Sequence, residues 1–579
     1  MPKGGEFILP AEKLPDIFTI DGLSEDQKMI RDNLRRFMAE FVLPKESSGR
    51  IESKEPGLMR ELIQKLARKT ELLGLEIPEQ FGGGGLGAIS STVVTEEIDK
   101  QGSFAVSVLA HKGIGTWPIM YFGTPEQKQK YLPQLATGEW VAAYSLTETG
   151  AGSDANSVRL TAEKVEGGYL LNGEKIFVTN GGFADVFTVF AKLNGKLTAF
   201  IVEKVMPGFK VGKEEHKMGI QGSSTAILIL ENVFVPDCNL LGVPGKGFKM
   251  AMNILNLGRF SLGAACLGAG RLCLEEASQY ARDRKQFGGP IGEFGLIRQK
   301  LAKMTALVYA MEAVVYRTAG LLEDSIGQAE PDNTEAILKA ISEYVIECSI
   351  VKVFCSEALD YIVDENVQIH GGYGFCAEYP AERYYRDSRI NRIFEGTNEI
   401  NRLVIIGSLL NPKKAEQLSL PAVIKNVIEE ILGSGLQEEP DNLNQKLLGY
   451  LNCARKAILL AGGAVFKKFP PPPQGQPSEL EKHQFLLGQL SDCAIDIYVL
   501  ESVLAAMVNS REGEKKERQE SMVRLLFAEK LAAIENQVKN IMAGCAEGDE
   551  LRTQLSMLRR LLKITPENME TLHNQILGA

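Results

Sequence analysis

One short segment of this chain combines a carboxylate with an apolar wall and a flexible turn. It reads Ile393-Phe394-Glu395-Gly396-Thr397-Asn398. A carboxylate beside apolar groups has its charged form disfavoured, so its pKa rises and it can act as a base near neutral pH. The glycine lets the backbone approach a ligand, and the threonine is of a type that starts helices. The same residues also suit a solvent-facing turn, so the segment indicates a base only in combination with other motifs.

Other kinds of site are not indicated by the residue spacing. The five histidines are far apart, and neither HExxH nor zinc-finger spacing is present, so no metal is predicted. The glycine-rich stretch 81–87 lacks the Lys-Ser/Thr of a phosphate-binding loop and is interpreted as a mobile turn between helices. No GxGxxG follows a strand, which argues against a Rossmann site.

Composition limits the class of protein. A length of 579 residues predicts three or four domains, and 44% hydrophobic with 24% charged residues is typical of globular proteins. A net charge of −10 argues against nucleic acid and anionic membranes as partners. We expect a cytoplasmic location, because we find neither a membrane-spanning run nor a signal peptide. The nine cysteines lack CxxC spacing, and several fall in apolar helical stretches, which predicts buried free thiols.

The elements follow the order helices, strands, helices. Apolar spacing of three to four predicts helices over 24–138. Two Asn-Gly pairs, at 172–173 and 194–195, lie between β-rich runs and predict hairpins in an antiparallel domain. Two further strands are predicted at 225–230 and 233–235.

Helical spacing returns from about residue 248 and continues to the end. One long buried helix is predicted from a capping box at 332–335 to about Leu359. Beyond residue 410, loops are predicted at 433–440 and at the prolines 470–473, and helices at about 486–507 and 522–542. The stripe of Leu447, Leu451, Ala454 and Ile458 is interpreted as core in preference to a membrane-facing surface.

Six motifs in order make the chain resemble the acyl-CoA dehydrogenase family, and most closely the bacterial type of its very-long-chain branch. They are YSLTETGAGSD at 144–154, KIFVTNGG at 175–182, NLGR at 256–259, RKQFG at 284–288, QIHGG at 368–372 and the Glu395 segment. The resemblance implies an α+β, mainly α fold. Its parts would be an N-terminal extension (1–24), a helical domain (25–138), a β domain (139–245), a helical domain with Glu395 (246–410) and an appended helical domain (411–579).

The resemblance also implies a non-covalent FAD between the β domain and the second helical domain. The residues expected around the flavin are Tyr144, Leu146, Thr147, Gly152, Ser153, Phe177, Thr179, Thr397 and Glu399. The adenine half would be completed by the neighbouring subunit, so a homodimer is expected. The residues expected to bind this half are Arg284, Phe287, Gln368, Gly371 and Gly372.

By the same resemblance, Glu395 removes the α-proton of an acyl-CoA while the β-hydride passes to the flavin, giving a trans-2-enoyl-CoA. The thioester oxygen would accept hydrogen bonds from the backbone N–H of Glu395 and a ribityl hydroxyl. Electron-transfer flavoprotein would then take the electrons. Some branches carry the base at the position of Gly258, which has no side chain here.

Substrate contacts are expected from Ser153, Asn256, Arg259 and Gly396. Arg259 and Asn256 would equally suit a buried salt bridge inside a helix. Val106 and Ala110 correspond to polar floor positions of medium-chain relatives, so the cavity is expected to favour long acyl groups, at about 0.8 kcal/mol per buried CH₂. Apolar residues at these two positions would also suit any buried helix.

Several features depart from the family pattern. Phe177 replaces a usual tryptophan beside the flavin, Thr149 replaces a common proline, and His370 occupies a usually apolar position, where a packed histidine is predicted. Residues 411–579 are less basic than in very-long-chain relatives, so stable membrane attachment is not expected. Two alternatives to a long-chain enzyme stay open: a dehydrogenase of short, branched or aromatic acyl-CoA, and an assembly partner. Retention of Glu395 and Arg284 argues against the latter.

Overall fold

The structure is a computed structural model that describes residues 2–329, 333–433, 442–470, 479–510 and 513–578. Helices dominate it, with one large sheet in the first half of the chain. In the described part of the chain, no helix is long and apolar enough to span a bilayer.

The first helices form a bundle whose starts are set by local capping. Ser24 and Thr124 each accept a hydrogen bond from a backbone N–H three residues on and form capping boxes. The predicted apolar stripe through Leu62 and Leu66 is fully buried. The helices are α1 Glu25–Phe37, α2 Leu43–Ser47, α3 Leu58–Thr70, α4 Ala88–Ile98, α5 Gly102–Leu109, α6 Trp117–Phe122 and α7 Pro125–Ala136.

An eight-stranded sheet follows, with neighbour order β6-β7-β3-β2-β4-β5-β8 and β1 beside β4. Most neighbours are antiparallel, as predicted, but β4 is parallel to both β1 and β2. The strands are β1 Ala142–Ser145, β2 Thr161–Val165, β3 Gly168–Thr179, β4 Val186–Leu193, β5 Lys196–Glu203, β6 Phe209–Glu214, β7 Thr225–Pro236 and β8 Leu240–Leu241.

Of the two predicted hairpin turns, one is confirmed. Asn194 and Gly195, with φ of 49° and 75°, connect β4 to β5 in a two-residue turn that pairs Leu193 with Lys196. The prediction of a turn at Asn172-Gly173 was wrong. Both residues lie inside β3, at an irregularity in the pairing of β3 with β7.

The tertiary partner of Asn172 explains the error. Its side chain bonds both the amide and the backbone N–H of Asn232, at 3.0 and 2.7 Å, across the irregularity. The ladder therefore continues on both sides, and the two strands predicted at 225–230 and 233–235 are one strand.

The second helical domain is built on long buried helices. Helix α8 spans Gly247–Asp283 and packs against α11, Val345–His370. The two-residue strands β9 Lys285–Gln286 and β10 Gly289–Pro290 lead into the remaining elements. These are α9 Gly295–Gly327, α10 Thr334–Glu343, α12 Pro380–Ser388, the 3₁₀ turn Arg389–Arg392 and α13 Asn398–Leu409.

The single helix predicted from residue 332 to Leu359 is two helices. Buried Tyr344 separates α10 from α11 at φ −103° and ψ 28°, and its hydroxyl donates to the carbonyl oxygen of Pro2 at 2.8 Å. Asp332, the first residue of the predicted capping box, lies outside the described residues. Asn333 caps α10 by accepting a hydrogen bond from the N–H of Ala336. The predicted burial of Cys266, Cys273, Cys348 and Cys355 is confirmed.

The last helices share one hydrophobic core with the second helical domain. Leu447, Leu451, Ala454 and Ile458 are all buried, which confirms the core interpretation. Most of the two predicted loops lies outside the described residues, at 434–441 and 471–478. The helices are α14 Pro412–Gln417, α15 Leu420–Gly433, α16 Leu443–Lys468, α17 Gln484–Val508, α18 Glu514–Cys545, α19 Gly548–Leu561 and α20 Met569–Leu577.

The N-terminal segment is bound across this shared core. The guanidinium of buried Arg455 donates to the carbonyl oxygen of Phe7 at 2.8 Å and is also paired with Glu501. The ring of Phe7 packs edge-on against Tyr498 at 4.9 Å. These contacts tie the first residues of the chain to the last helical region.

Candidate active site

Glu395 lies in a tight turn between the 3₁₀ turn and α13. Its φ is 57° and that of Gly396 is 80°, so two successive residues have left-handed backbone. For a residue with a side chain this conformation costs on the order of 1–3 kcal/mol and is kept only where the surroundings enforce it. The amide of Asn401 helps to hold the turn by donating to the carbonyl oxygen of Gly396 at 2.8 Å. Thr397 caps α13 as predicted, accepting from the N–H of Ile400.

The carboxylate of Glu395 has the electrostatics expected of a base. Its Oε2 atom is buried and has no hydrogen-bond partner in the described part of the chain. Burial raises the pKa of Glu395 to about 7, against the opposing positive charges of Arg259 and Lys352. A group with this pKa is substantially ionised at neutral pH and still basic enough to accept a proton.

Gly258 in α8 provides the space that the carboxylate occupies. A Cβ atom on this glycine would lie 2.5 Å from Glu395 Oε2. The position has no carboxylate of its own, as the sequence indicated, but it has a second role that the sequence did not reveal. Its missing side chain lets Glu395 pack directly against the helix.

Arg259 and Asn256 lie beside this turn from the same helix. Arg259 is 4% exposed, and one guanidinium nitrogen donates to Asn256 Oδ1 at 2.9 Å. Its Nε donates to the carbonyl oxygen of Glu395 at 3.4 Å. Both residues are therefore next to Glu395, and their contact with substrate stays a prediction.

Lys352, which the sequence analysis missed, also supports the turn. It is fully buried in α11, and its Nζ donates to the carbonyl oxygen of Gly396 at 2.8 Å and to Asn398 Oδ1 at 2.6 Å. Burial lowers the pKa of Lys352 to about 8. A lone lysine inside the apolar run Ser349-Ile350-Val351-Lys352-Val353-Phe354 is the signal that could have found it, because a buried cation needs partners.

Replacing this lysine is expected to alter the pH dependence of the reaction. Lys352→Met removes a positive charge that lowers the pKa of Glu395, so that pKa should rise further. The acidic limb of the kcat/KM profile should then move to higher pH, and turnover at pH 7 should fall about tenfold as the turn loosens. A pH–rate profile of acyl-CoA oxidation measures both effects.

Lys112→Met is the matched control, since Lys112 is also buried but pairs with Glu76 at 3.0 Å. It should lose stability without moving the limb. An unmoved limb in Lys352→Met would show that this lysine has only a structural role.

A largely apolar cavity adjoins the turn and is lined by Phe394. Its walls come chiefly from α5 and from one face of α8, including Val106, Leu109, Leu262 and Ala265. Val106 lines this cavity, and its contact with an acyl group stays a prediction. Ala110 is buried but is not among the lining residues.

Strand β1 brings Tyr144 toward the base. Its hydroxyl is buried without a partner among the described residues, and the charge of Glu395 adds to burial in raising the pKa of Tyr144. Leu146 is buried, and the carbonyl oxygen of Thr147 accepts from the N–H of Ile176. An orphaned buried hydroxyl is a group that a bound polar ligand would satisfy. This arrangement fits the predicted flavin.

The other predicted flavin residues lie at the sheet ends. Phe177, at φ 57° and 60% exposed, sits at an irregularity of β3, and Thr179 ends that strand. Gly152 and Ser153 are exposed in the turn after β1, and a Cβ on Gly152 would meet nothing within 4 Å. The backbone there is open to a ligand. Glu399 is exposed on α13.

The remaining predicted residues form a second, distant group. Arg284 directly follows α8 and is about 39 Å along the helix axis from Gly258 at 1.5 Å per residue. Its guanidinium lies 5.5 Å from the ring of Tyr373, beside the exposed Gly371 and Gly372. Gln368 is exposed, and Phe287 is 96% exposed.

The prediction that His370 is a packed histidine is confirmed. Its ring Nδ1 is hydrogen-bonded to the carbonyl oxygen of Asn366, and the ring stacks on Tyr280 with centroids 4.1 Å apart.

The fold and this site define a class of enzyme, and comparison with known proteins identifies it. The acyl-CoA dehydrogenase N-terminal domain matches residues 24–139, the middle domain 143–233, and the C-terminal domain 245–410. A further acyl-CoA dehydrogenase C-terminal domain matches 453–560. The chain belongs to the acyl-CoA dehydrogenase family and is an enzyme of that type, as its motifs predicted.

Individual relatives are similar over most of the chain. A probable acyl-CoA dehydrogenase of Bacillus subtilis (strain 168) is 42% identical, covering 98% of this chain and 95% of its own. The human mitochondrial very long-chain specific acyl-CoA dehydrogenase is 34% identical over 87% of this chain and 79% of its own. The crystal structure of an acyl-CoA dehydrogenase complexed with FAD from Bacillus anthracis has a TM-score of 0.95 at 41% identity, covering 100% and 98%.

Proposed function

We propose that this acyl-CoA dehydrogenase oxidises long-chain acyl-CoA thioesters to trans-2-enoyl-CoA, the first step of fatty acid β-oxidation. The observation that carries the proposal is the carboxylate of Glu395, whose buried Oε2 has no hydrogen-bond partner among the described residues and which lies beside a largely apolar cavity. Burial has brought the pKa of this group to about 7.

The residues of the chain account for the proton transfer. Glu395 accepts the α-proton, and Lys352 and Arg259 keep enough positive charge nearby for the carboxylate to be ionised. In this proposal the backbone N–H of Glu395 donates to the thioester oxygen as negative charge develops there. The apolar cavity walls exclude water from the acyl group.

The cofactor is FAD, which the Bacillus anthracis relative contains. When bound, it supplies the acceptor for the hydride that leaves the β-carbon. The residues that would hold it are Tyr144, Leu146, Thr147, Ser153 and Thr179. The buried hydroxyl of Tyr144, which lacks a partner among the described residues, supports this arrangement.

We also propose that each flavin is shared by two subunits of a homodimer. The group around Arg284 lies about 39 Å along α8 from the base, too far to reach the same flavin as Tyr144 in one chain. The face around it exposes Phe287 (96%), Phe375 (88%) and Leu296 (76%), as an interface does before assembly. The electron acceptor is proposed to be electron-transfer flavoprotein, on the basis of the family resemblance.

Anaerobic bleaching of the flavin absorbance by saturated acyl-CoAs from C4 to C20 tests the proposal. Rapid bleaching with an optimum between C14 and C18 is expected, because apolar side chains including Val106 line the cavity. A C12 optimum or shorter, or a preference for branched or aromatic thioesters, would overturn the chain-length assignment. Flavin binding without bleaching by any thioester would favour an assembly role.

A further inference from the structure

The acyl cavity carries a hydrogen-bonding group on an otherwise largely apolar wall. Asp99, between α4 and α5, lines the cavity together with Asp387 of α12. Burial, reinforced by the charge of Asp387, raises the pKa of Asp99 above its ordinary value. The carboxyl is therefore neutral over a wider pH range than an exposed aspartate, and a neutral carboxyl both donates and accepts hydrogen bonds.

Asp99 lies at the end of the cavity away from Glu395. Glu395 packs against Gly258, whereas the charge of Asp99 acts on the thiols of Cys266 and Cys273. These cysteines are roughly 12 and 22 Å further along α8. The cavity follows the same helix face, through Leu262, Ala265, Ala269 and Leu272. An acyl chain that starts at the base and follows this face has Asp99 near its tail.

The side chain of Asp99 is not used by the protein itself. Among the described residues it has no hydrogen-bond or ion-pair partner, and it is partly exposed where it lines the cavity. Its neighbours are engaged elsewhere. Asp387 accepts from the N–H of Ile220, and Lys100 pairs with Glu97 at 2.7 Å. Its carboxyl is therefore open to a hydrogen bond from water or from a ligand in the cavity.

We propose that Asp99 determines specificity at the tail of the acyl group and favours acyl-CoAs whose far end carries a hydroxyl. The inference rests on the proposed function and makes its substrate class narrower. A terminal methyl that reaches Asp99 displaces water from the carboxyl and forms no hydrogen bond in its place. A terminal hydroxyl replaces that water with a direct hydrogen bond. Sites that hydrogen-bond a substrate hydroxyl discriminate strongly against the analogue that lacks it.

The test compares matched pairs of saturated acyl-CoAs, with and without an ω-hydroxyl, at each length from C8 to C18. The readout is kcat/KM on the FAD-loaded enzyme and on the Asp99→Leu and Asp99→Asn variants. At the length where the tail reaches Asp99, wild type should prefer the ω-hydroxy substrate at least tenfold. Asp99→Leu should abolish that preference and improve the methyl-ended substrate. Asp99→Asn, of the same shape with an amide, should keep the preference within about threefold.

Each outcome has a distinct meaning. Equal rates for both members of every pair, with normal flavin bleaching, would overturn the inference and leave the proposed function intact. Retention of the preference in Asp99→Leu would also overturn it. Bleaching by neither series would overturn the proposed function together with the inference. Flavin content and thermal midpoint of each variant establish that a changed preference comes from a folded enzyme.

Discussion

Replacing Glu395 by glutamine is expected to lower the rate of acyl-CoA oxidation by about 10³- to 10⁴-fold, the upper part of the range that general bases contribute. Glutamine has nearly the same shape, so it fills the space beside Gly258 and leaves the turn in place. It has no basic oxygen at neutral pH and so cannot accept the α-proton. The rate of flavin bleaching in a single turnover measures the loss directly.

As a control for an intact site, Glu395→Gln is expected to keep its flavin and still bind acyl-CoA. Bound flavin and a perturbation of its spectrum by a non-reactive thioester would show this. A variant that oxidised acyl-CoA within tenfold of wild type would contradict the assignment of the base. A variant without flavin would require the less invasive Glu395→Asp, which retains a carboxylate at a different reach.

Replacing Gly258 by alanine is expected to lower turnover about 100-fold without loss of stability. The added Cβ would lie 2.5 Å from Glu395 Oε2, so the carboxylate must move. A displacement of about 1 Å at a reacting group can cost 10²-fold in rate. Alanine is also favoured over glycine within a helix by up to about 1 kcal/mol, which opposes any loss of stability. Steady-state kinetics and thermal unfolding separate the two effects.

Gly270→Ala in the same helix is the control for this substitution. A Cβ there would meet Ile362 and Met311 at ordinary contact distances of 3.5 to 3.6 Å. It should gain the same helix preference and keep full activity. If Gly258→Ala kept full activity as well, the packing of Glu395 against α8 would not matter for the chemistry.

Local sequence patterns predicted the elements where the pattern itself determines the structure. The Asn194-Gly195 turn formed because both residues tolerate positive φ and the strands on either side pair directly. The same dipeptide at 172–173 did not turn the chain, because Asn172 is bonded to Asn232, sixty residues away. The break at Tyr344 depends likewise on a contact with the N-terminal segment. Neither partner is visible in a local pattern.

The residues of the candidate site also divide into those that local sequence indicates and those that depend on distant contacts. Glu395 could be singled out from the sequence because Phe394 and Gly396 indicate an apolar wall and a turn, and the structure has both. Three features depend on packing between elements that are distant in sequence. Gly258 leaves space for the carboxylate, Lys352 supports the turn, and Asp99 lies in the cavity. Gly258 and Lys352 are each unusual for the buried helix that holds them, as a glycine and a lysine. That mismatch signals a role without saying which one.

The central claim, that Glu395 is a base with a pKa of about 7, is tested most directly by the pH dependence of kcat/KM for acyl-CoA oxidation. This parameter reports ionisations of the free enzyme. Glu395 acts in its charged form, which is lost as the pH falls through its pKa. The rate should therefore be half-maximal near pH 7 and fall about tenfold per pH unit below it. A profile that stays flat from pH 8 down to pH 5 would contradict the claim.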